Sequence, residues 1–383
     1  SSSSAASDVY KRQLLVLSIN AAAQELNPFY QSVVEQVKYD SVHQKLQKFQ
    51  DFGIKTVGSS AHENAFTWLK TYYTAYGYTS IEQQSVNVYG NVGNNLIVTK
   101  IGKKYPDEFI IIDGHYDTLN GPGANDNGSG TVTLLEIARL IKDIETDYSI
   151  KFIHFTGEER GLIGSQAYVN QIAVPQNLKI KAVLNIDEVG GVANKVNSTI
   201  VCEQDESNPT SNNAISAELT NQMANIFPLY TTLKTEISNA YSSDYMPFQA
   251  VGYPITGLFE KNETPYAHTA QDIIDNMDLN YLTEVAKGAL ATLLHFSQAQ
   301  EKLNVKENAI STLQIYPNPI VKNLYFSQVL QQPIITIYNA AGKQVFHQKY
   351  QTTVSQINLE HLTSGIYFVN INSNQYSFKI LKK

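Results

Sequence analysis

Residues 110–130, IIIDGHYDTLNGPGANDNGSG, constrain this chain more than any other stretch. The β-branched start, Ile110-Ile111-Ile112, is a strand signal that runs into a polar loop, and the apolar pattern from Thr131 onward has helical spacing. Strand, loop, helix is the unit of an open α/β sheet, whose ligands sit outside the carboxyl ends of the strands. The loop presents His115, Asp117 and Asp126 on a backbone loosened by Gly114, Gly121, Gly123 and Gly128. Imidazole and carboxylate are zinc ligands, and His115-Tyr116-Asp117 has the spacing at which a carboxylate orients a metal-bound imidazole. An HxD pair after a strand is also what an ordinary polar loop end looks like, so alone it leaves both readings open.

Three further strand ends carry the same chemistry. Residues 150–155 run into Thr156-Gly157-Glu158-Glu159-Arg160-Gly161, where one carboxylate could hold a metal and its neighbour move protons, or both could be solvated. Residues 182–186 end in Asp187-Glu188-Val189-Gly190, and the strand at 251–259 leads to Tyr266-Ala267-His268-Thr269-Ala270-Gln271-Asp272. The carboxyl ends of parallel strands converge on one edge, so these residues are expected to meet. A two-metal site, with its ions ~3.5–4 Å apart, needs terminal ligands on each ion and a bridging carboxylate. His115, Asp126, Glu159, Asp187 and His268 fill that requirement, and the assembly is far more specific than any of its parts.

The remaining patterns fix the expected architecture. Helical periodicity runs through 28–50, 61–76, 131–141 and 212–227, two strands flank the Gly90–Gly93 turn within 81–100, another covers 231–237, and a long amphipathic helix is expected over 278–303. This is an α/β fold, a mixed, mostly parallel central sheet flanked by helices. Beyond Lys306 short alternating strands at 324–326, 334–338, 344–350, 366–372 and 376–380 predict a small all-β sandwich. The domain expectation is therefore a low-complexity tag or leader remnant at 1–12, a main domain at 13–305 and a sandwich at 306–383.

Composition excludes several classes. A net charge of −7 and only short lysine pairs, such as Lys103-Lys104 and Lys382-Lys383, argue against a nucleic-acid partner. No apolar run approaches the ~20 residues that span a bilayer, so no transmembrane segment is expected. The single cysteine, Cys202, is read as a buried strand residue rather than a nucleophile, since no histidine flanks it. With 24 tyrosines, asparagine-rich loops and 16% charged residues, the chain reads as an exported bacterial protein. Tyr245, Phe248 and Phe259 could line an apolar pocket for a substrate side chain or simply pack in the core.

In their order and spacing, GHYD, PGANDNGSG, FTGEERGLIGS, NIDEVG, SSDYMPF and AHTAQD resemble the secreted co-catalytic di-zinc aminopeptidases of the aminopeptidase S and Y, or leucyl aminopeptidase, type. These are relatives of glutamate carboxypeptidase and glutaminyl cyclase, and the resemblance covers about residues 40–300. It implies two Zn2+ per chain, one on His115 and Asp187, the other on Glu159 and His268, with Asp126 bridging. It further implies Glu158 as general base, Asp117 as the residue orienting His115, Tyr241 as donor to the oxyanion, and peptide or protein amino termini as substrate. Where many relatives carry a bulkier residue before the last histidine and a proline after the threonine, this chain has Ala267 and Ala270, which bears on specificity. A glutaminyl cyclase, typically with one zinc, a carboxypeptidase and a non-catalytic relic are the alternatives on the same scaffold. Intact His115 and Glu158 argue against the first and last. The carboxy-terminal segments IYPNPIVKNLYF, IYNAAGKQV and LTSGIYFVNI resemble the sorting domain of the type IX secretion system, which implies that machinery as a partner and export across the outer membrane to the medium or cell surface. A carbohydrate- or partner-binding sandwich is the alternative.

Overall fold

The computed structural model describes residues 25–301, 313–372 and 376–383. The expected leader at 1–12 and the expected boundary near 305 lie outside the described residues. The chain divides into two compact units, residues 1–302 and 303–383.

Among the described residues the first unit begins with three helices, α1 (Pro28–Val34), α2 (Tyr39–Asp51) and α3 (Ser60–Tyr76). The single helical stretch expected over 28–50 is thus two helices, with the first ending at Glu35 as its C-cap. Strands β1 (Ser80–Val88), β2 (Asn91–Lys100) and β3 (Tyr105–His115) follow, then α4 (Gly128–Ile141), β4 (Glu145–Thr146), β5 (Tyr148–Phe155), α5 (Ile163–Tyr168), β6 (Lys179–Ile186) and β7 (Thr199–Gln204). After these come α6 (Asn213–Tyr230), β8 (Lys234–Asn239), α7 (Met246–Ala250), β9 (Ile255–Glu260), α8 (Leu279–Phe296) and β10 (Ala299–Gln300). The long carboxy-terminal helix stops at Phe296, short of the expected 303, and β10 then pairs with β4.

Eight strands form one sheet in the order β1-β2-β5-β3-β6-β9-β7-β8. Its centre, β5-β3-β6-β9, is parallel throughout, whereas β1, β2 and the β9-β7 pairing are antiparallel. The alternation of side chains along a strand explains how the sheet is covered on both faces. Ile110 and Ile112 of β3 enter the core beneath α2, α4 and α8, with Leu46, Leu135 and Leu290, while Ile111 enters a second core with Tyr168, Tyr245 and Phe248. Tyr245 and Phe248 are therefore packing residues, at 1% and 0% exposure, and the second of the two readings of those aromatics is the observed one. Cys202 is fully buried in β7, and burial pushes its thiol up to about 12, as befits an inert strand residue.

The parallel centre places the carboxyl ends of β3, β5, β6 and β9 on one edge. Asn127 fixes the start of α4 against that edge, its Oδ1 accepting from Gly130 N at 2.8 Å and its Nδ2 donating to the Ile186 carbonyl at 2.8 Å. Helix and strand approach so closely that a Cβ on Gly130 would lie 2.1 Å from the Ile186 carbonyl oxygen, backbone that cannot step aside cheaply. Gly130→Ala is expected to destabilise the fold by roughly 1–3 kcal/mol, as overpacking in a close-packed core does. An unchanged urea midpoint would show that the helix start can shift freely.

The second unit contains two antiparallel sheets. One comprises β11 (Ile315–Tyr316), β12 (Asn323–Leu330) and β15 (Val354–Asn358). The other comprises β13 (Ile334–Asn339), β14 (Gln344–Lys349), β16 (Gly365–Ile371) and β17 (Tyr376–Lys382), in the order β14-β13-β16-β17. Leu324, Phe326 and Ile357 of the first sheet share one core with Ile335, Ile337, Val369 and Ile380 of the second, which is the expected sandwich. No apolar periodicity had marked β15, which exposes three of its five residues.

Candidate metal centre and active site

His115 is the last residue of β3, and Glu158 and Glu159 stand on a short 3-10 turn just after β5. Asp187 follows β6 directly, and His268 lies in the loop after β9. The main-chain turn at Gly157, with φ of +72°, swings the chain out of β5 and back so that both glutamates stay at the sheet edge. The five residues expected as ligands come together in two groups that share one member, His115-Asp126-Asp187 and Asp126-Glu159-His268. His115 Nε2 lies 3.3 Å from Asp126 Oδ1 and 3.3 Å from Asp187 Oδ1. His268 Nε2 lies 3.0 Å from Asp126 Oδ2 and 2.8 Å from Glu159 Oε2. Asp126 thus turns one oxygen to each group, the disposition a bridging carboxylate requires.

These residues wall a cavity of about 280 Å³, together with Glu158, Gly161, Leu162, Glu188 and Ser242. Glu158 Oε2 is 3.8 Å from His115 Nε2. Asp117 lies immediately behind, but with a division of labour its spacing did not reveal. His115 Nδ1 is 3.1 Å from the Asp117 backbone carbonyl and 3.8 Å from its carboxylate, which instead accepts from Glu158 N at 3.2 Å. A two-residue step folds the chain tightly enough for the main-chain oxygen to reach the ring first. Tyr241 stands 70% exposed and is not among the wall residues; its hydroxyl lies in the field of Glu203, Glu263, Glu188 and Asp187. Phe259 is likewise absent from the wall.

The electrostatics are those of a site with too much negative charge. Burial, then Asp126, pushes Glu159 up to about 8; burial, then Asp126 and Asp187, pushes Glu188 up to about 10. Burial also raises Glu158 well above the usual carboxylate range, against the opposing pull of His115. The hydrogen bond to Asp126 lifts His268 to about 9. Burial would raise Asp126 too, but hydrogen bonds from His115 and His268 outweigh it and hold that carboxyl low. Glu159 Oε1 is buried and accepts no hydrogen bond. Clustered carboxylates with an orphaned oxygen, two imidazoles and no lysine or arginine in the wall are what a pair of divalent cations would satisfy.

A polar network that sequence reasoning did not assign holds the loops in place. Asp272 accepts from Asn125 N at 2.8 Å and from Asp126 N at 3.0 Å, clamping the backbone at the shared carboxylate. Asn125 Nδ2 donates to both oxygens of Glu260 at 3.0 Å, and Asn125 Oδ1 accepts from Gly190 N at 2.7 Å. Glu260 in turn accepts from Gly191 N at 2.6 Å and Thr264 N at 2.7 Å. Asn125 and Glu260 therefore tie the loops bearing Asp126, Asp187 and His268 to one another. Ser243 Oγ completes the shell, donating to Asp187 Oδ2 at 2.7 Å. The available signals were Asn125 beside Asp126 and Asp272 four residues after His268; neither spacing reveals a contact across the fold.

Known proteins resemble both parts of the chain. The model of Peptidase family M28 matches residues 95–293, and that of the secretion system C-terminal sorting domain matches residues 314–383. The chain is 30% identical to aminopeptidase YwaD of Bacillus subtilis over 212 residues, covering 52% of this chain and 43% of that one. It is 27% identical to leucine aminopeptidase 1 of Trichophyton equinum over 286 residues, covering 67% and 73%. The chain spans about half the length of the first relatives it matches. Among solved structures, the LapA aminopeptidase of Legionella pneumophila superposes with a TM-score of 0.63 at 27% identity, covering 72% of this chain and 77% of that one.

Proposed function

Since the chain belongs to Peptidase family M28, we propose that it is a secreted, zinc-dependent aminopeptidase that removes the first residue from peptides. The observation that carries this reading is the split of the Asp126 oxygens between the His115-Asp187 and Glu159-His268 pairs. His115 and Asp187 would hold one zinc, Glu159 and His268 the second, and Asp126 would bridge; bound there, zinc would polarise the scissile carbonyl and bring the pKa of water down toward ~7.

The chain's own residues supply the rest. Glu158 takes the proton of the attacking water and delivers it to the leaving amine. Asp117 anchors that base through the Glu158 N–H and holds the His115 ring through its own carbonyl, which leaves Nε2 facing the cavity. Tyr241, next in the chain to the wall residue Ser242, is assigned as donor to the carbonyl oxygen. The complete two-sided constellation, His115 included, favours the hydrolase over a glutaminyl cyclase.

The test is mass spectrometry of Leu-Gly-Gly-Phe, with free and with acetylated amino terminus, after incubation with the zinc-loaded chain. Loss of leucine from the free peptide alone is expected. Shortening from the other end would make the protein a carboxypeptidase, and no shortening of either would redirect the search to amino-terminal glutamine and the cyclase reaction.

The carboxy-terminal sandwich serves export through the type IX system, and among the described residues no helix is long and apolar enough to cross a membrane. In a host with that system, a chain ending at residue 308 should remain cell-associated while the full chain reaches the surface or medium. Fractionation followed by immunoblotting checks this, and undiminished secretion of the short chain would sink the sorting role.

A further inference from the structure

The turn that carries Glu158 and Glu159 is bonded within itself. The Glu158 carbonyl accepts from Gly161 N at 2.8 Å and Leu162 N at 2.9 Å, and the Gly157 carbonyl accepts from Ile163 N at 3.0 Å. Leu162, a wall residue of the cavity, sits at φ of +59°, left-handed backbone that a residue with a Cβ keeps only where its surroundings over-determine it. Strand pairing does not supply that constraint. The register of β5 ends with His154 opposite Leu96 on one side and with Phe155 opposite His115 on the other, before the turn begins. Asp117 grips the middle of the turn through Glu158 N, which leaves its two ends.

The residue of β2 just before Leu96 holds both. Asn95 is fully buried; its Oδ1 accepts from Thr156 N at 3.0 Å, and its Nδ2 donates to the Gly164 carbonyl at 2.8 Å. Thr156 opens the turn and Gly164 closes it, so one side chain ties the two ends to the sheet. The ends meet so closely that a Cβ on Gly164 would lie 2.1 Å from the Thr156 carbonyl oxygen and 2.6 Å from Asn95 Oδ1. Asn95 Nδ2 also donates to Gln84 Oε1 at 2.9 Å, across the β1-β2 pair in which the two residues stand opposite each other. An amide engaged on both its oxygen and its nitrogen has one orientation, and losing it would strand buried backbone groups of the turn.

We propose that Asn95 is a positioning residue for the reaction: by fixing both ends of the turn to β2, it sets where Glu158 stands as base and where Glu159 meets Asp126 and His268. The inference rests on the aminopeptidase reading for the roles of the two glutamates. Asn95 acts through the main chain of Thr156 and Gly164 and takes no part in proton transfer. Groups that orient metal ligands from behind are worth about 10–100-fold in metal affinity or activity, and misplacing a reacting group by about 1 Å can cost about 10²-fold.

The test compares the full zinc-loaded chain with Asn95→Ser, whose hydroxyl is too short to bridge the two ends. Circular dichroism fixes a temperature well below the variant's transition, so that only folded protein is compared. Titration with the zinc chelator dipicolinate reads the placement of Glu159, and turnover of Leu-Gly-Gly-Phe reads that of Glu158. In the variant, part of the zinc is expected to leave at about tenfold lower chelator concentration. At saturating zinc kcat should fall about tenfold or more while KM is unchanged. A residue needed only for stability would lower the transition temperature and move neither quantity in the folded protein, and that result would overturn the proposal. If Asn95→Ser does not fold, Asn95→Asp keeps the size and the acceptor for Thr156 N, its ionised carboxylate loses the bond to Gly164, and the same two readouts decide. Should the wild-type chain cleave no peptide, the peptidase reading fails alone, because the chelator titration still shows whether Asn95 places Glu159.

Discussion

Glu158→Gln is expected to lower kcat by roughly 10²–10⁴-fold, the usual worth of a positioned general base, while the protein keeps its full zinc content. Glutamine is isosteric and can still occupy the wall, but it cannot accept a proton from water. Glu158 belongs to neither group of ligand-type residues, so its replacement should leave metal affinity intact. His268→Ala is the complementary variant. It removes the nitrogen that lies 2.8 Å from Glu159 and 3.0 Å from Asp126, and should lose close to half the zinc together with activity. The two proteins should therefore separate in a metal assay although both are inactive. Equal zinc loss in both would count against the division between base and ligand.

The second large effect concerns stability. Glu136 of α4 is completely buried and joins three partners: Lys45 Nζ of α2 at 2.9 Å, Ser41 Oγ at 2.8 Å, and Arg139, whose Nη2 lies 2.6 Å away. Lys45 is itself only 4% exposed, so removing the acid leaves an ammonium in the core between α2 and α4 with no counter-charge. Glu136→Leu is expected to destabilise the unit by about 3–5 kcal/mol, the range for breaking a buried pair by deleting one partner. At roughly 2–4 °C per kcal/mol for a unit this large, the loss should appear as a Tm drop on the order of 10 °C. Lys45→Met in the same background should recover much of it, because the uncompensated charge and not the missing carboxylate carries the cost.

The same pair has a definite pH signature. Burial acts to raise Glu136, but the Arg139 hydrogen bond and then Lys45 outweigh it, and the carboxyl ends below its ordinary 4.5. A carboxyl depressed in the folded state contributes stability that is fully present above its unfolded value and is lost as pH falls through the folded one. The wild-type protein should therefore lose this increment below about pH 4.5, and Glu136→Leu should show a flatter acid limb. Parallel acid limbs in urea titrations would exclude Glu136 as their source.

What sequence alone determined about this protein is what is local along the chain. Alternation and helical spacing marked most of the long strands and helices, though not β7, α5 or α7, and His115, Glu158, Glu159 and Asp187 were recognisable because each sits within a few residues of a strand end that its own apolar run defines. A parallel sheet then obliges such ends to converge. The sorting sandwich was legible for the same reason, save β11, which is too short to show a period, and β15, whose mostly exposed residues leave little periodic signal.

Only the tertiary structure decided the contacts made across long separations. Asn125 reaches Glu260 over 135 positions and Asp272 over 147, so no spacing rule could have identified the clamp that holds Asp126. Tyr245 and Phe248 are as apolar as any pocket wall, and only packing against Phe155 and Tyr168 on the far face of the sheet assigns them to the core. Glu188 shows the same limit at short range. Its composition and position match any polar residue after a strand, and only a positive φ, braced by Glu260 from elsewhere in the fold, turns it into the cavity beside Asp187. Local sequence sets backbone preference and burial pattern, whereas the direction in which a side chain finally points is settled by neighbours that the fold brings from far away.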